Sequence, residues 1–276
     1  MSGSTYNVLI KYEIFIEKKG DRHMFKIRNF QDSDNVKIVE ELGPFQVVEY
    51  KRDLSVDHST AQNAYYASQM NVRRRQLVCN VNLSNITVQA GSMQWTVGDV
   101  KATTGLKGVG DFIKKSIRGS VTNESAIKPE YTGSGILVLE PTYKHILLID
   151  VDQWNGGIVI EDGLFLACES ELQLKTVMRS NLSSAALGGE GLFNLGLFGK
   201  GVVALESYVP REELIEIELI NDELKIDGNM AIAWSASLKF TVERSGKTLL
   251  GSAASGEGLV NVYRGTGKVL MAPVVE

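Results

Sequence analysis

Three glutamates recur at similar places beside paired glycines, and they are the candidate ligand-binding residues of this chain. Glu124, Glu190 and Glu257 precede Gly-x-Gly pairs by nine, nine and eight residues. Carboxylates that converge on one point supply the oxygen ligands that hard cations prefer. Alternatively, each carboxylate accepts backbone N–H bonds and fixes its own turn, which we expect to be the commoner role. The spacing therefore offers a cation or small-ligand site beside a purely structural interpretation.

The remaining motifs do not indicate catalysis. The Gly-x-Gly pairs begin at residues 133, 199 and 265, and the second runs directly into strand-like sequence, so no phosphate-binding loop is completed. We expect these glycines to serve at positive φ or in bulges instead. His23, His58 and His145 are scattered, without a partner at metal-ligand spacing. We therefore predict a protein that is not an enzyme and uses no cofactor.

Two basic clusters raise the question of nucleic acid. One is Arg73–Arg75 and the other lies within Lys114–Arg118. RNA recognition would need exposed aromatic residues interleaved with these charges, and only Phe112 is near. The net charge of −4 also gives no general attraction to nucleic acid. We predict no nucleic-acid partner, and we expect the short amphipathic segment 109–118 to pack on the protein rather than on a membrane.

The cysteines and the apolar runs indicate a reducing compartment. Cys79 and Cys168 lie far apart in apolar, strand-like runs, so we expect two reduced and buried thiols. Residues 1–11 lack the pattern of a signal peptide, and no apolar run is long enough to span a bilayer. We predict a cytoplasmic location without a transmembrane segment.

The elements that position the glutamates form a repeat. Successive Gly-x-Gly pairs are 66 residues apart, which indicates tandem structural units. Dense short strands between Gly, Asn and Asp turns favour an all-β fold. We predict units at about residues 73–141, 142–207 and 208–276, which would bury their apolar faces by closing around a pseudo-threefold axis. An insertion in the first unit is expected within residues 103–122.

Residues 1–72 lie outside the repeat and are interpreted as a small α+β appendage. Val36–Glu49 is expected to be a short β-unit broken at Gly43-Pro44, and a helix is expected over residues 60–70, capped by Asp57 or Ser59. Further along the chain, Trp154–Gly157 is read as a hairpin turn. Asn221–Glu223 is read as a turn between two strands.

Several motifs in this order resemble one known family. The resemblance rests on residues 189–193 (Gly-Glu-Gly-Leu-Phe), 199–203, 91–93 and 162–167 (Asp-Gly-Leu-Phe-Leu-Ala), and it covers roughly residues 71–273. These motifs are similar to those of the altered inheritance of mitochondria protein 24 family. The resemblance implies three repeats, each like the short double-stranded β-helix unit of the tryptophan RNA-binding attenuation protein. It implies no catalytic residue, and it does not cover residues 1 to about 70.

The sequence thus favours a non-enzymatic scaffold or binding module. Its partner could be another protein or a second copy of the chain, through the barrel ends or the N-terminal appendage. The alternative is a small-ligand or cation-binding protein that uses the three glutamates near the pseudo-threefold axis.

Overall fold

The fold is built almost wholly of β-strands. The computed structural model describes residues 25–104, 128–178, 193–244 and 259–274. The strands in these ranges are β1 (Val36–Leu42), β2 (Phe45–Tyr50), β3 (Arg75–Asn80), β4 (Ile86–Val88), β5 (Met93–Thr103), β6 (Glu130–Leu139), β7 (His145–Asp150), β8 (Ile158–Ile160), β9 (Phe165–Glu169), β10 (Gln173–Met178), β11 (Phe193–Phe198), β12 (Val202–Ser207), β13 (Ile215–Asp227), β14 (Ala231–Ser235), β15 (Lys239–Arg244) and β16 (Leu259–Met271). Helix α1 spans Ala61–Gln69, and short 3-10 helices span Val151–Gln153 and Arg211–Glu213. The predicted all-β fold is confirmed.

The N-terminal segment forms a hairpin followed by a helix, as its sequence predicts. β1 and β2 pair antiparallel around Gly43, whose φ of 56° suits the tight turn between them. The Asp57 carboxylate accepts the backbone N–H of Ser59 (2.7 Å) and of Thr60 (3.1 Å) in the turn that leads into α1, whereas the N-cap residue of the helix is Thr60, without a side-chain capping bond. Because β2 also pairs with β3, the hairpin continues the first sheet of the repeat region. The domain boundary placed at residue 72 stays a prediction.

The strands form two sheets. The first has the order β1-β2-β3-β6-β4-β9-β12-β7 with β5 paired to β6, and the second has the order β10-β11-β8-β14-β16-β13 with β15 paired to β16. The first sheet curls until its end strands β1 and β7 approach each other. Arg211 links them, because its guanidinium donates to Glu40 of β1 (2.8 Å) and to the Leu148 carbonyl of β7 (2.7 Å). The first sheet is therefore a nearly closed barrel, and the second is a half-barrel.

β7 shows why the strands of this fold read as apolar runs. Ile146 and Leu148 pack inside the first barrel with Phe45. Leu147 and Ile149, on the opposite face, pack into a second cluster between the two sheets. A strand buried on both faces needs apolar side chains at every position, so alternation disappears. The long run Ile-Leu-Leu-Ile is the consequence.

The same pairing scheme occurs three times. Val138 lies between Val78 and Trp95, Ala204 between Leu148 and Ala167, and Leu270 between Glu216 and Ala233. The central residues of these three triplets are 66 residues apart, which matches the spacing of the glycine pairs. Gly133, Gly199 and Gly265 also share positive φ values of 116°, 110° and 125°. These registers support the repeat interpretation, while the number of repeats and the pseudo-threefold closure stay predictions.

Two turn predictions are wrong. Trp154–Gly157 does bend the chain, with Gly156 and Gly157 at φ values of 76° and 112°, but β7 and β8 do not pair. This bend instead carries the chain from the first sheet to the second. Asn221, at φ 52°, lies inside the continuous strand β13, where the register against β16 shifts between Leu219 and Asp222. It is a bulge and not a turn.

Candidate functional site

The three glutamates singled out in the sequence are Glu124, Glu190 and Glu257. They lie outside the described residues, and so does the amphipathic segment 109–118. Along the chain, the three glutamates fall between β5 and β6, β10 and β11, and β15 and β16. The cation hypothesis therefore stays a prediction.

The two cysteines are buried, and their thiols are unreactive. Cys79 and Cys168 are fully buried and unpaired, as expected. Burial raises the pKa of both thiols far above the ordinary range, so neither thiolate forms near neutral pH. Within the described ranges, no group of histidines, cysteines and carboxylates could hold a metal ion.

The basic cluster Arg73–Arg75 is where structure and sequence reasoning diverge. Alternate residues of an extended chain point to opposite sides, so Arg73 and Arg75 share one partner and Arg74 points elsewhere. Arg73 and Arg75 reach Glu49 at 3.0 and 2.6 Å, and Lys37 reaches the same carboxylate at 3.0 Å. Glu49 is 4% exposed. Two of the three arginines in the cluster, Arg73 and Arg75, therefore belong to an internal ion network.

Glu49 is ionised because of this network. Burial by itself would raise the pKa of the carboxyl. Hydrogen bonds from Lys37 and Arg73, with the charge of Arg75, outweigh burial and hold the pKa of Glu49 below its ordinary value. The network joins β1, β2 and β3, and its role is to bind the N-terminal hairpin to the barrel.

Arg74 lies on the other side and lines a cleft beneath helix α1. We call this the α1 cleft; its volume is about 390 Å³. Its helix wall consists of small residues, among them Ala64 and Ala67, and Val56 and Val72 add further apolar surface. Only Ala64, Ala67 and Ser68 of α1 are half-buried or buried, so the helix stands off the sheet and leaves this space open. A concave, mostly apolar site of this size suits a small ligand.

The guanidinium of Arg74 is held in place without being satisfied. Its central carbon lies 4.3 Å from the centroid of the Tyr50 ring, a cation–π contact. The nearest carboxylate oxygen, on Asp53, is 3.6 Å from Nη2, too far for a hydrogen bond. Nε is buried and has no hydrogen-bond partner in the described part of the chain. A guanidinium donates hydrogen bonds and accepts none, so Arg74 is the polar group of the cleft that most lacks hydrogen-bond acceptors.

Asp53 is engaged by other donors. It accepts a hydrogen bond from the Tyr143 hydroxyl at 2.6 Å and one from the Ser55 backbone N–H at 3.2 Å. The Tyr143 hydrogen bond is the main reason why the pKa of Asp53 lies below its ordinary value. The same bond raises the pKa of Tyr143. Asp53 is thus fixed as a carboxylate beside Arg74 without moving into hydrogen-bond distance of it.

The cleft is locally basic in an acidic protein. Lys51, Arg52, Arg73 and Arg74 line it, against the single carboxylate of Asp53, whereas the whole chain has a net charge of −4. Arg73 is paired with Glu49, and Lys51 donates to the uncharged backbone carbonyl of Asp34 at 2.6 Å. An excess of positive charge therefore faces the cleft.

A second, polar cavity of about 290 Å³ lies at the seam where β1 meets β7. Glu40 and Arg211 close one side, and His145 and Arg75 lie on another. Burial, followed by the charge of Arg75, lowers the pKa of His145. Burial raises the pKa of Glu40, although Arg211 opposes this. In the seam cavity Arg211 pairs with Glu40, and Arg75 pairs with Glu49. These charges are already compensated within the protein, so this cavity is a weaker candidate for a ligand site than the α1 cleft.

Sequence reasoning missed the cleft for a physical reason. The triplet Arg73–Arg75 was visible, but its partner Glu49 lies on a neighbouring strand, and Tyr143 comes from a distant loop. Only the predicted helix over residues 60–70, with its small residues three and four apart, was a local signal for one wall of a cleft.

The family model described as mitochondrial biogenesis AIM24 matches residues 69–274. An uncharacterised protein of Streptococcus pyogenes serotype M6 is 28% identical over 193 residues, covering 67% of this chain and 75% of that protein. A crystal structure of a Streptococcus pyogenes protein aligns with a TM-score of 0.54 at 25% identity, over 74% of this chain and 90% of that one. The resemblance expected from the sequence motifs is confirmed. No helix in the described ranges has the length and apolar character needed to cross a bilayer.

Proposed function

The chain belongs to the mitochondrial biogenesis AIM24 family, and from that premise we propose that it is a non-enzymatic binding module whose ligand site is the α1 cleft. One observation carries this proposal. The Arg74 guanidinium lines an open apolar cleft, stacks on Tyr50, and donates no hydrogen bond within the described residues. Nε is the buried donor without a partner, whereas the terminal nitrogens belong to a side chain that is 25% exposed and are the donors with which a bound acceptor would pair.

The chemistry of the lining supports binding rather than catalysis. Asp53 has a lowered pKa and Tyr143 a raised one, so neither group exchanges a proton readily near neutral pH. These groups can orient and hold a ligand, but proton transfer at neutral pH would need a group that titrates there.

A blocked cleft tests the proposal. In Ala67→Phe a large ring replaces a half-buried methyl group of the cleft wall. The matched control is Gln62→Phe, which adds the same ring to an exposed position of the same helix. Alanine and valine methyl NMR signals of the cleft would be followed while a library of small charged and neutral aromatic compounds is added.

We expect saturable shifts at Ala64 and Val72 methyl groups for a subset of the compounds. These shifts should disappear in Ala67→Phe and persist in Gln62→Phe. If no compound moves the cleft signals, or if the shifts survive in Ala67→Phe, the cleft is not a ligand site.

A second candidate function is assembly through the outer face of α1, as a scaffold. Tyr65, Tyr66 and Met70 are 62%, 60% and 78% exposed, and the two tyrosine rings lie edge to face at 5.4 Å. Exposed apolar side chains grouped in this way favour a protein interface. The partner we propose is a second copy of the chain.

Light scattering during size-exclusion chromatography tests self-association. The mass of the wild type should rise with concentration, and the double variant Tyr65→Ser/Met70→Ser should stay monomeric. Val274→Ser, at a residue 61% exposed elsewhere on the surface, is the control and should behave as the wild type does. A wild type that is monomeric at every concentration would remove this candidate.

The finer sequence predictions continue as proposals. The repeated registers of β6, β12 and β16 support three tandem units closed around a pseudo-threefold axis, and with them a cation or small-ligand site formed by Glu124, Glu190 and Glu257. The two buried, unpaired thiols support a cytoplasmic location. The internal pairing of Arg73 and Arg75 supports the absence of a nucleic-acid partner.

A further inference from the structure

The α1 cleft has features that select among ligands by their charge and shape. We infer that it selects ligands that present a single carboxylate on a small apolar body, an inference that rests on the proposed function of this cleft. Three observations carry it: the excess positive charge of the lining, the guanidinium of Arg74 with its unpaired Nε and its closest carboxylate oxygen at 3.6 Å, and the apolar walls supplied by α1 and its neighbours.

The charge of the lining excludes cationic ligands first. Among the described residues, Arg73 is the one cation of the cleft that is closely paired with a carboxylate, at 3.0 Å from Glu49. Arg74 has Asp53 at 3.6 Å, and Lys51 has an uncharged carbonyl as its partner. A ligand ammonium group would meet this excess charge and would gain only Asp53, whose oxygens already accept from Tyr143 and Ser55. An anion is favoured on both counts.

The geometry of Arg74 then favours a planar anion. A guanidinium presents its donors in a rigid planar fork that matches the two oxygens of a carboxylate. The cation–π contact with Tyr50 holds the guanidinium in place before a ligand arrives, which reduces the entropy lost on binding. Because Asp53 is held by Tyr143, it does not compete for these donors.

A phosphate would fit less well, although Arg74 could also bind one. The second negative charge of a phosphate dianion would face the Asp53 carboxylate, which lies 3.6 Å from Arg74. A monoanion avoids this cost.

The remaining wall determines the rest of the ligand. Val56, Ala64, Ala67 and Val72 offer apolar contacts and no charge. An anion without an apolar body would leave this surface in water, whereas an aryl or branched alkyl group would cover it, and the removal of apolar surface from water favours binding. The ligand class is therefore a small aryl or alkyl carboxylic acid.

Four matched probes separate the contributions. They share a phenyl group on a short alkyl linker and differ in the head group: 3-phenylpropanoate, 3-phenylpropanamide, 3-phenylpropylammonium and 2-phenylethyl phosphate. Their dissociation constants would be measured by methyl NMR with the full chain as wild type, Arg74→Met, Arg74→Lys, Arg52→Met and Ala67→Phe. The unperturbed methyl spectrum away from the cleft verifies that each variant is folded.

We expect the propanoate to bind the wild type most tightly. Arg74→Met should weaken it about tenfold to a hundredfold, the range for a hydrogen-bonded charged group, and should leave the amide unchanged. Arg74→Lys should give an intermediate loss, because the charge remains and the planar fork is gone. Arg52→Met, which removes an exposed cation at the rim, should cost less than about fivefold.

The possible failures are distinguishable. If the acid and the amide bind equally and both are lost in Ala67→Phe, the cleft binds ligands but carboxylate selection is refuted. Tighter, Arg74-dependent binding of the phosphate ester would likewise overturn the choice of carboxylate while the binding function stands. If none of the probes shifts the cleft methyl signals, both the inference and the proposed function are refuted.

Discussion

The ion network around Glu49 gives the sharpest stability prediction. Replacing Glu49 by glutamine removes the one carboxylate that Lys37, Arg73 and Arg75 share. Lys37 and Arg73 are partly exposed and can turn to water, but the Arg75 side chain is only 4% exposed and would remain as a buried charge. Removing one partner of a buried ion pair costs about 3–5 kcal/mol.

The lower end of this range applies here. Arg75 keeps three uncharged acceptors, namely the Arg73 carbonyl at 3.2 Å, and the Asn71 carbonyl and side-chain oxygen at 3.1 and 2.9 Å. We therefore expect Glu49→Gln to lower the free energy of unfolding by about 3 kcal/mol. For a chain of this length, at about 2 °C for each kcal/mol, Tm should fall by about 6 °C.

A matched surface pair provides the control. Glu216 on β13 reaches Lys268 at 3.2 Å and its side chain is 53% exposed, so Glu216→Gln should cost less than about 1 kcal/mol. Thermal unfolding at neutral pH, followed by circular dichroism, compares the two variants. Equal Tm values for Glu49→Gln and Glu216→Gln would refute the claim that Glu49 compensates a buried charge.

The pH dependence of the same difference is a second check. The folded-state pKa of Glu49 lies below its ordinary value of 4.5, so its stabilisation is complete above that value and is lost as pH falls through the folded pKa. The stability gap between wild type and Glu49→Gln should be full at neutral pH and should close in acid. A gap that persists unchanged into strong acid would mean that the charge of Glu49 is not its source.

Three further predictions address other parts of the molecule. Gly133→Ala should lower the free energy of unfolding, measured with urea, several-fold more than Gly163→Ala does. A Cβ at residue 133 would lie 2.1 Å from the Asp99 carbonyl oxygen, whereas nothing lies within 4 Å of a Cβ at residue 163, and both positions have positive φ. Similar losses of stability in the two variants would contradict this. The pKa of His145 is lowered by burial, so the wild type should lose stability as pH falls below the ordinary value of 6.5, and His145→Gln should lose less; parallel pH profiles would exclude the histidine as the cause. If the repeated glutamates bind a hard cation, Ca²⁺ or Mg²⁺ should raise the Tm of the wild type but not that of the triple glutamine variant of Glu124, Glu190 and Glu257; a wild type that neither ion affects would remove that hypothesis.

Local sequence signals predicted the elements whose causes are local. The break at Gly43-Pro44 separates β1 and β2 as expected, because the turn needs a positive φ that glycine adopts freely. Asp57 accepts the backbone N–H groups of the turn that leads into α1, which is also a short-range effect. The period of 66 residues was readable for the same reason, since similar motifs recur at residues 133, 199 and 265, which lie within β6, just before β12 and within β16.

Strand partners depend on distant residues, and there the sequence misled. Gly156 and Gly157 report only that the chain bends, and the bend leads β8 into the other sheet, beside β11 and β14. Asn221 reports only a positive φ, which a bulge within β13 uses as readily as a turn does. Turn residues fix a local conformation, whereas the partner of the next strand is chosen by burial across the whole fold.

The α1 cleft is formed by two parts of the chain, of which one lies within the family match and the other precedes it. The family match begins at residue 69, so Tyr50, Asp53 and helix α1 up to its last residue lie outside it, whereas Arg74 and Tyr143 lie within it. The hydrogen bond from Tyr143 to Asp53 and the contact of Arg74 with Tyr50 both cross this boundary. A barrel that keeps Arg74 can therefore present a different site when a different N-terminal segment covers it. The identity of the proposed ligand would then depend on the N-terminal segment of this chain, while the barrel supplies the guanidinium that any such ligand would contact.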